Sequence, residues 1–490
     1  MNPIVALTPT PLWKHFAALC EIPRPSKHEE RVVEYALSFA RARNLKAQLD
    51  TAGNVIIKKP ATPGMEDRQT LALQSHLDMV PQKNASTVHN FLTDPIRPYV
   101  DGDWVTAKGT TLGADNGIGV AAILALLEST DIPHPALEAL LTIDEEAGMT
   151  GAKNLQPGNF EADLLLNLDT EDEGELYIGC AGGVDVNAIL PYSRDPIAVG
   201  SQVFTLSVRG LRGGHSGLDI DKGRGNANKI ANRIIDTALS KIPELRIAAL
   251  DGGSLRNAIP RESFCTLVIP AGTRDKLQQS IDSESARLSQ EFDNEADLTI
   301  TLEPTEAPGS TMDAASQLKL IRAIRCCPNG VARMSTKLTG VADTSNNLAR
   351  VVTAEKDGKP QVQIQCLVRS LSDTARDQHS LDVAACFELA GATTRLDNAY
   401  PGWAPNPSSP LLALMRDVYT EMTGAEPEVK VIHAGLECGL LAKPYPNWDM
   451  VSFGPTIRRA HSPEERVHIH SVANFWDYLI KVVQAVPGRN

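Results

Sequence analysis

Charged and imidazole side chains stand at the ends of separate apolar runs, and this pattern constrains the fold more than any other feature of the sequence. The runs LALQSH, ALEALLTI and ADLLLNLD each end on such residues or lead into them, and helical patterns separate them. Apolar runs that alternate with helices are typical of buried strands in a parallel α/β sheet. Because ligands of such sheets bind beyond the carboxyl ends of the strands, we expect these polar residues to converge at one edge.

The converging residues combine imidazole and carboxylate donors, which are ligands of zinc and of similar ions. They are His76, Asp115, Glu145, Glu146, Asp169 and His461. This donor set predicts a metal site, and the number of carboxylates favours two ions. His468 and His470 are alternatives for the last ligand. We prefer His461 because it lies in the loop after the strand pattern DMVSFGP, whereas the later pair leads into the final helix.

Two of the aspartates have specific predicted roles. His76 and Asp78 are two residues apart at a strand end, so both side chains leave the same face. Asp78 is therefore suited to hold the second ring nitrogen of a metal-bound His76, although a helix-capping aspartate would satisfy the same spacing. Asp115 lies in the glycine-rich segment GTTLGADNGIG. It can bridge two cations through its two oxygens, or serve as an ordinary helix N-cap.

Three acids follow the apolar run ALEALLTI directly: Asp144, Glu145 and Glu146. Adjacent carboxylates repel one another unless a cation lies between them. Because neighbouring side chains point in different directions, one glutamate can ligate a metal while the other acts on a water molecule. A solvated acidic turn is the alternative interpretation.

The composition disfavours several classes of partner and location. A chain of 490 residues is long enough for two or three domains. The formal net charge of −13, without a Lys/Arg block, argues against nucleic acid and anionic membranes as partners. Eight cysteines without a CxxC pair indicate reduced thiols. The segment MNPIVALTPTPLWKHF lacks the pattern of a signal peptide, so we expect a cytoplasmic protein without a membrane span.

Changes of pattern divide the chain into a catalytic domain and an insertion. Residues 1–185 predict the first part of an αβα sandwich, including a helix opened by Ser26 as N-cap. Residues 186–402 predict an inserted α+β domain. The Pro- and Gly-rich segment YPGWAPNPSSP marks the return, and residues 403–490 complete the first domain. The predicted fold class is α/β, with a mainly parallel sheet in the αβα-sandwich domain.

Eight sequence pieces carry a resemblance to a known family. They are SHLDMV (75–80), TLGADNGIG (111–119), DEEAGMTGA (144–152), LDTEDEGELYIGCAGG (168–183), GGHSGLDI (213–220), RNAIP (256–260), HAGLECG (433–439) and AHSPEE (460–465). Through them the whole chain resembles the co-catalytic zinc peptidases and aminoacylases of the carboxypeptidase/aminoacylase type.

The resemblance implies a role for each candidate residue. For the metal ions, Asp115 bridges two zinc ions, His76 and Asp169 complete one zinc sphere, and Glu146 and His461 complete the other. For catalysis, Glu145 is the general base, Asp78 orients His76, and His215 stabilises the oxyanion. For the substrate, Asn257 and Arg369 hold its backbone or carboxylate, and Glu437 contacts its amine. It also implies a strained peptide bond after Asp115, for which the cis form is a candidate.

The activity implied by the resemblance is hydrolysis of unblocked dipeptides, with histidine permitted at the C-terminal position as in β-Ala-His. Two Zn²⁺ per subunit would serve, with Mn²⁺ or Co²⁺ as substitutes. The inserted domain resembles a lid that also mediates homodimerisation. Sister activities stay open: an N-acyl amino-acid deacylase, a tripeptidase or a carboxypeptidase. A metal-dependent binding protein without turnover is disfavoured, because binding alone needs no base such as Glu145.

Overall fold

Strands and helices alternate through most of the chain in the computed structural model, which describes residues 3–489. A 3₁₀ helix covers Pro3–Ala6. The α-helices of the described residues are α1 (Thr10–Cys20), α2 (Glu30–Ala42), α3 (Ala114–Glu128), α4 (Glu145–Gly148), α5 (Thr150–Lys153), α6 (Ala227–Lys241), α7 (Arg274–Glu291), α8 (Ala314–Cys326), α9 (Asp373–Glu388), α10 (Pro410–Thr423), α11 (Glu437–Leu441) and α12 (Ile469–Ala485).

The strands of the same residues are β1 (Lys46–Leu49), β2 (Val55–Lys59), β3 (Leu71–His76), β4 (Pro98–Asp101), β5 (Trp104–Ala107), β6 (Leu137–Thr142), β7 (Leu164–Asn167), β8 (Glu175–Cys180), β9 (Gly182–Pro191), β10 (Arg194–Asp195), β11 (Gln202–Arg209), β12 (Gly214–His215), β13 (Arg246–Gly252), β14 (Ala258–Ile259), β15 (Ser263–Ile269), β16 (Thr299–Pro304), β17 (Thr311–Met312), β18 (Gly330–Met334), β19 (Ala342–Lys356), β20 (Lys359–Ser370), β21 (Thr393–Tyr400), β22 (Glu428–Ile432), β23 (Asp449–Ser452), β24 (Ile457–Arg458) and β25 (Arg466–His468).

The described chain divides into two compact units. The first unit comprises the chain up to Gly179, Pro405–Val431 and the chain from Leu436, and the second comprises Cys180–Ala404 and Ile432–Gly435. Each unit has its own apolar core. The catalytic and lid roles assigned to residues 1–185, 186–402 and 403–490 stay predictions.

The first unit is built around an eight-stranded sheet of order β1-β2-β6-β3-β7-β23-β8-β22. The four central strands β6, β3, β7 and β23 run parallel, whereas β1 and β2 extend the sheet antiparallel on one side. Every residue of β3, β6 and β7 is buried, as expected for central strands covered on both faces, and most of these residues are apolar. The predicted α/β class is confirmed, and the parallel pairing belongs to the centre of the sheet.

Helix α3 packs against β3 on one side and against α1 on another. Its residues are buried around nearly the whole circumference, as expected for a helix that is apolar on all faces. The close packing of α3 against Phe16 of α1 and against Arg24 depends on Gly117. An added Cβ there would lie 2.6 Å from Nη2 of Arg24 and 2.9 Å from the Phe16 ring. The core thus leaves no room for a side chain at the start of this helix.

The second unit contains a sheet of order β16-β11-β15-β13-β19-β20-β9-β21, with β18 added to β19. All its registered pairs are antiparallel. Helix α6 packs against α7 and α8, and α9 packs against β9, β20 and β21. This α+β architecture agrees with the strand and helix patterns of the insertion.

None of the eight cysteines, all within the described part of the chain, forms a disulfide. No helix among residues 3–489 is both long enough and apolar enough to cross a membrane.

Candidate metal centre

The candidate ligands follow the carboxyl ends of the parallel strands of the first unit. His76 is the last residue of β3, Glu145 follows the end of β6 by three residues, and Asp169 follows the end of β7 by two. Asp115 lies near the start of α3, where the backbone leaves helical geometry at Asp115 and Asn116. The peptide bond between these two residues is cis, the candidate form that the family resemblance implied.

His461 enters from a separate four-stranded sheet of order β24-β25-β5-β4. It lies in the loop between β24 and β25 with a φ of 61°, and its side chain is 54% exposed. The alternative His468 instead caps α12, because its Nδ1 accepts a hydrogen bond from the Ser471 N–H. The structure therefore brings His461, and not His468, to the other candidate ligands.

Asp115 lies between two histidines. Its Oδ1 is 3.2 Å from Nε2 of His76, and its Oδ2 is 3.1 Å from Nε2 of His461. On the first side, Oδ1 of Asp169 is 3.4 Å from the same His76 nitrogen. On the second side, Oε2 of Glu146 is 3.0 Å from the His461 nitrogen. Two mixed nitrogen and oxygen sets thus share one carboxylate.

Part of this cluster meets the geometric requirement of a metal site. Donor atoms of His76, Asp115 and Glu146 lie within 4.8 Å of one another, the only such group of three among the described residues. Oε1 of Glu146 is buried without a hydrogen-bond partner. Burial, followed by the charge of Asp115, raises the pKa of Glu146 to about 7. A cation would satisfy this oxygen and offset the repulsion.

Asp78 supports His76 from the side of its other ring nitrogen. Nδ1 of His76 lies 3.2 Å from the Asp78 carbonyl and 3.3 Å from Oδ1 of the Asp78 carboxylate, and the carboxylate accepts hydrogen bonds from the Glu145 and Glu146 N–H groups. Burial opposes ionisation of Asp78, but the hydrogen bonds outweigh it and lower its pKa to about 2. Asp78 is therefore a fixed anion that can hold the His76 ring in one orientation.

Ser26 corrects one expectation from the sequence. It does not cap a helix, because α2 begins at Glu30 and has no side-chain cap. The Ser26 hydroxyl instead donates to Oδ2 of Asp78 at 2.7 Å. The predicted cap is wrong because a serine hydroxyl close to a helix start can bond a carboxylate that is distant in sequence instead of the helix backbone.

Glu145 and Asp169 differ in their contacts. Burial raises the pKa of Glu145 well above its ordinary value, and the charges of Glu146 and Asp169 add to the effect against the charge of His76. Oδ1 of Asp169 accepts a short hydrogen bond from the amide of Asn116, which also donates to the Leu168 carbonyl at 2.7 Å. Asn116 therefore orients Asp169, a role that its position in the glycine-rich segment did not reveal.

Glu437 lies in the interior of the first unit, fully buried. Its Oε2 accepts hydrogen bonds from Nε2 of Gln74 at 2.5 Å and from the Thr142 hydroxyl at 2.7 Å. Burial raises its pKa to about 8, and the charges of Asp169 and Asp78 add to this. The Glu437 side chain, which belongs to α11, is therefore hydrogen-bonded to two strands of the sheet, β3 and β6.

The remaining candidates belong to the second unit. Nδ1 of His215 accepts the N–H groups of Gly217 and Leu218 at 3.2 and 3.1 Å, which favours the neutral ring with its proton on Nε2 over a bond to that nitrogen from Nη2 of Arg369 at 3.4 Å. Burial and then the charge of Arg369 lower the pKa of His215 to about 4. Arg369 is buried and donates to the Tyr400 hydroxyl at 2.6 Å. Asn257 is exposed, and its carbonyl accepts the Ser216 N–H.

Comparisons with known proteins show the family and the fold of the chain. The model of peptidase family M20/M25/M40 matches residues 72–485. The cytosol non-specific dipeptidase of Escherichia coli (strain K12) is 45% identical over 490 residues, which covers 100% of both chains. The crystal structure of aminoacylhistidine dipeptidase from Vibrio alginolyticus is 48% identical, with a TM-score of 0.90 over 99% of each chain.

A more distant structure shares the fold alone. Aminopeptidase PepT from Bacillus cereus is 16% identical, with a TM-score of 0.60 over 98% of this chain and 99% of that chain. The chain belongs to peptidase family M20/M25/M40. The resemblance to metallopeptidases drawn from the eight sequence pieces is confirmed at the level of the family.

Proposed function

We propose that the protein is a two-metal dipeptidase that hydrolyses unblocked dipeptides, including Xaa-His dipeptides such as β-Ala-His. The observation that carries the proposal is the position of Asp115, whose two oxygens lie 3.2 and 3.1 Å from the Nε2 atoms of two different histidines. The names of the E. coli and V. alginolyticus relatives support the substrate class.

The imidazole and carboxylate donors around Asp115 are of the kinds that hold divalent ions, and we propose two ions for this site. We propose that His76 and Asp169 would hold one ion, Glu146 and His461 the other, and that Asp115 would contribute an oxygen to each. Mixed imidazole and carboxylate donors suit Zn²⁺ first, with Mn²⁺ or Co²⁺ as substitutes. The buried, unpartnered Oε1 of Glu146 supports a cation at this place. When bound, such ions polarise a carbonyl and lower the pKa of a water molecule.

The protein supplies the proton transfers. We propose that Glu145 takes a proton from the attacking water and delivers it to the leaving amine, as a general base and then a general acid. A nearby cation would lower the pKa of Glu145, which burial raises, and so favour the form that accepts a proton. Asp78 keeps the His76 ring in place through Nδ1.

The roles of the other candidates are also proposals. A neutral His215 with its proton on Nε2 is suited to donate a hydrogen bond to a developing oxyanion. We propose that Asn257 and Arg369 hold the substrate backbone or carboxylate. The predicted contact of Glu437 with the substrate amine competes with its structural hydrogen bonds to Gln74 and Thr142. A cytoplasmic homodimer is proposed from resemblance, and light scattering at twice the mass of one chain would support the dimer.

Initial rates on four substrates test the function. The zinc-loaded protein would be assayed with and without a chelator on β-Ala-His, an ordinary α-dipeptide, its N-acetylated form and a tripeptide. We expect chelator-sensitive cleavage that is confined to the two free dipeptides. Faster cleavage of the acetylated substrate or the tripeptide would move the protein to a sister activity, and no cleavage of any substrate would contradict the proposal.

A further inference from the structure

Glu465 is a buried carboxylate with an unusual set of partners. Only 2% of the residue is exposed. Its two oxygens accept hydrogen bonds from four consecutive backbone N–H groups: Leu112 at 2.8 Å, Gly113 at 3.0 Å, Ala114 at 2.7 Å and Asp115 at 3.3 Å. A buried carboxylate is costly unless its oxygens are satisfied, and these four donors satisfy both of them. The last donor belongs to the residue at the centre of the candidate metal site.

The donors are free for Glu465 because of the local backbone. N–H groups at a helix start have no partner within the helix. Here α3 leaves helical geometry at Asp115 and Asn116, and Gly113 has a left-handed φ of 72°. The irregular segment Leu112–Asp115 therefore depends on a partner outside itself for its conformation.

Arg24 holds the same segment through a carbonyl. This buried guanidinium donates to the Gly113 carbonyl at 2.5 Å, and to the carbonyls of Leu77 and Asp78 at 2.9 and 2.8 Å. An added Cβ at Gly113 would lie 2.6 Å from Nη2 of Arg24, so the close contact between the guanidinium and this part of the backbone requires glycine at position 113. The N–H groups of the segment thus bond Glu465, and its Gly113 carbonyl is tied to the strand end that carries Asp78.

Glu465 also shares a loop with a candidate ligand. It follows His461 by four residues in the connection between β24 and β25, and the Thr106 hydroxyl donates to its carbonyl at 2.7 Å. The loop therefore contacts Asp115 at two points. Glu465 accepts a hydrogen bond from the Asp115 N–H, and Nε2 of His461 lies 3.1 Å from Oδ2 of Asp115. Fixing one contact restricts the geometry of the other.

We propose that Glu465 is a positioning residue, which holds the Leu112–Asp115 segment so that the Asp115 carboxylate lies between His76 and His461. This inference rests on the proposed two-metal function. No role for Glu465 followed from the sequence, where it only closes the piece AHSPEE.

The test compares Glu465→Gln with Glu464→Gln. Glu464 is the exposed neighbour in the same loop and pairs with Arg459, so it is a matched control. Glu465→Gln puts an amide NH₂ against backbone donors and should lower the affinity for Zn²⁺, measured by competition with a chromophoric chelator, by about 10–100-fold. It should also lower kcat on a dipeptide with little change in KM. Glu464→Gln should match the wild type in all three.

Further readouts separate positioning from folding. Unfolding in the presence of chelator reports whether Glu465→Gln folds, and the visible spectrum of the Co²⁺-loaded protein reports the coordination of the ion. If Glu465→Gln does not fold, Glu465→Asp takes its place, because it keeps the charge on a shorter side chain. We expect Glu465→Asp to lower the affinity for Zn²⁺ by a smaller factor than that expected for Glu465→Gln. Wild-type affinity and a wild-type cobalt spectrum in a folded Glu465 variant would overturn the inference. Failure of the wild type to bind Zn²⁺ would instead overturn the proposed function.

Discussion

Glu145 and Glu146 are adjacent residues with different surroundings. Burial raises the pKa of both, but Oε2 of Glu146 is 3.0 Å from Nε2 of His461, and no ion pair to a histidine is found for the described side chain of Glu145. Both backbone N–H groups bond the Asp78 carboxylate, which fixes the direction in which each side chain leaves the chain. At the residue scale, this division supports one ligand and one base.

Replacing Glu145 by Gln should separate chemistry from metal binding. The amide keeps the size of the side chain but cannot accept the water proton, so kcat should fall by about 10²–10⁴-fold. Elemental analysis should find the same metal content as in the wild type, because Glu146 is the proposed ligand. Wild-type turnover at full metal content would exclude Glu145 as the base.

A row of buried polar side chains crosses the central sheet of the first unit. The Ser452 hydroxyl donates to Oδ1 of Asn167, the Asn167 side-chain NH₂ donates to Oε1 of Gln74, and the Gln74 side-chain NH₂ donates to Oε2 of Glu437. These residues belong to β23, β7, β3 and α11. These hydrogen bonds link neighbouring strands near their carboxyl ends, and Oε1 of Glu437 is the buried oxygen of the row without a hydrogen-bond partner.

Glu437→Ala distinguishes a structural role from substrate binding. Loss of the carboxylate removes one acceptor each from Gln74 and Thr142, which keep only the longer contacts to Thr142 Oγ1 at 3.1 Å and to the Ser75 carbonyl at 3.4 Å. The free energy of unfolding in urea should therefore fall by about 1–3 kcal/mol. KM for a dipeptide should change little in the folded variant. A raised KM at unchanged stability would favour the contact with the substrate amine instead.

The sequence predicted the elements better than the contacts between them. Strands β3 and β7 are predictable because each begins with three consecutive buried apolar residues, and their ends locate His76 and Asp169. The bond of Ser26 to Asp78 joins residues 52 apart, and that of Glu465 to Ala114 joins residues 351 apart. Local propensity contains no information on such pairs, because only the folded chain brings them together.

At the scale of the whole molecule, the stability of each of the two units can be predicted separately. In the second unit, Nε2 of His433 is 2.8 Å from the Ser345 hydroxyl. Burial lowers the pKa of His433 to about 4; the charge of Arg369 adds to this, and Asp221 and Asp343 act in the opposite direction without reversing it. The folded protein therefore keeps this imidazole neutral under conditions in which an unfolded chain would protonate it.

The pH dependence of stability follows from this difference. Above the ordinary histidine pKa of about 6.5 both states are neutral, and His433 has no effect. As pH falls from there towards 4, the unfolded state binds the extra proton and stability is lost, by roughly 2 kcal/mol between pH 7 and pH 5. His433→Gln should remove that part of the loss in urea unfolding, and His28→Gln, at an exposed site, should not. Equal pH profiles for all three proteins would contradict the prediction.

Zinc should stabilise one unit and not the other. All five candidate ligands, His76, Asp115, Glu146, Asp169 and His461, lie in the first unit, and each unit has its own core. A ligand that binds only the folded state stabilises it by about 4 kcal/mol at 1,000 times its Kd. Calorimetry should therefore show two transitions, of which zinc raises only one.

The variant Asp169→Asn connects that shift to the proposed ligands. It removes one carboxylate charge from the proposed ion site that includes His76. Zinc should therefore raise the temperature of the zinc-dependent transition less than in the wild type, while the temperature of the other transition should not change. A chelator should return the wild type to the same profile. If zinc raised both transitions equally, the ion would bind elsewhere or the units would unfold together. If it raised neither, the Asp115 cluster would not be a metal site.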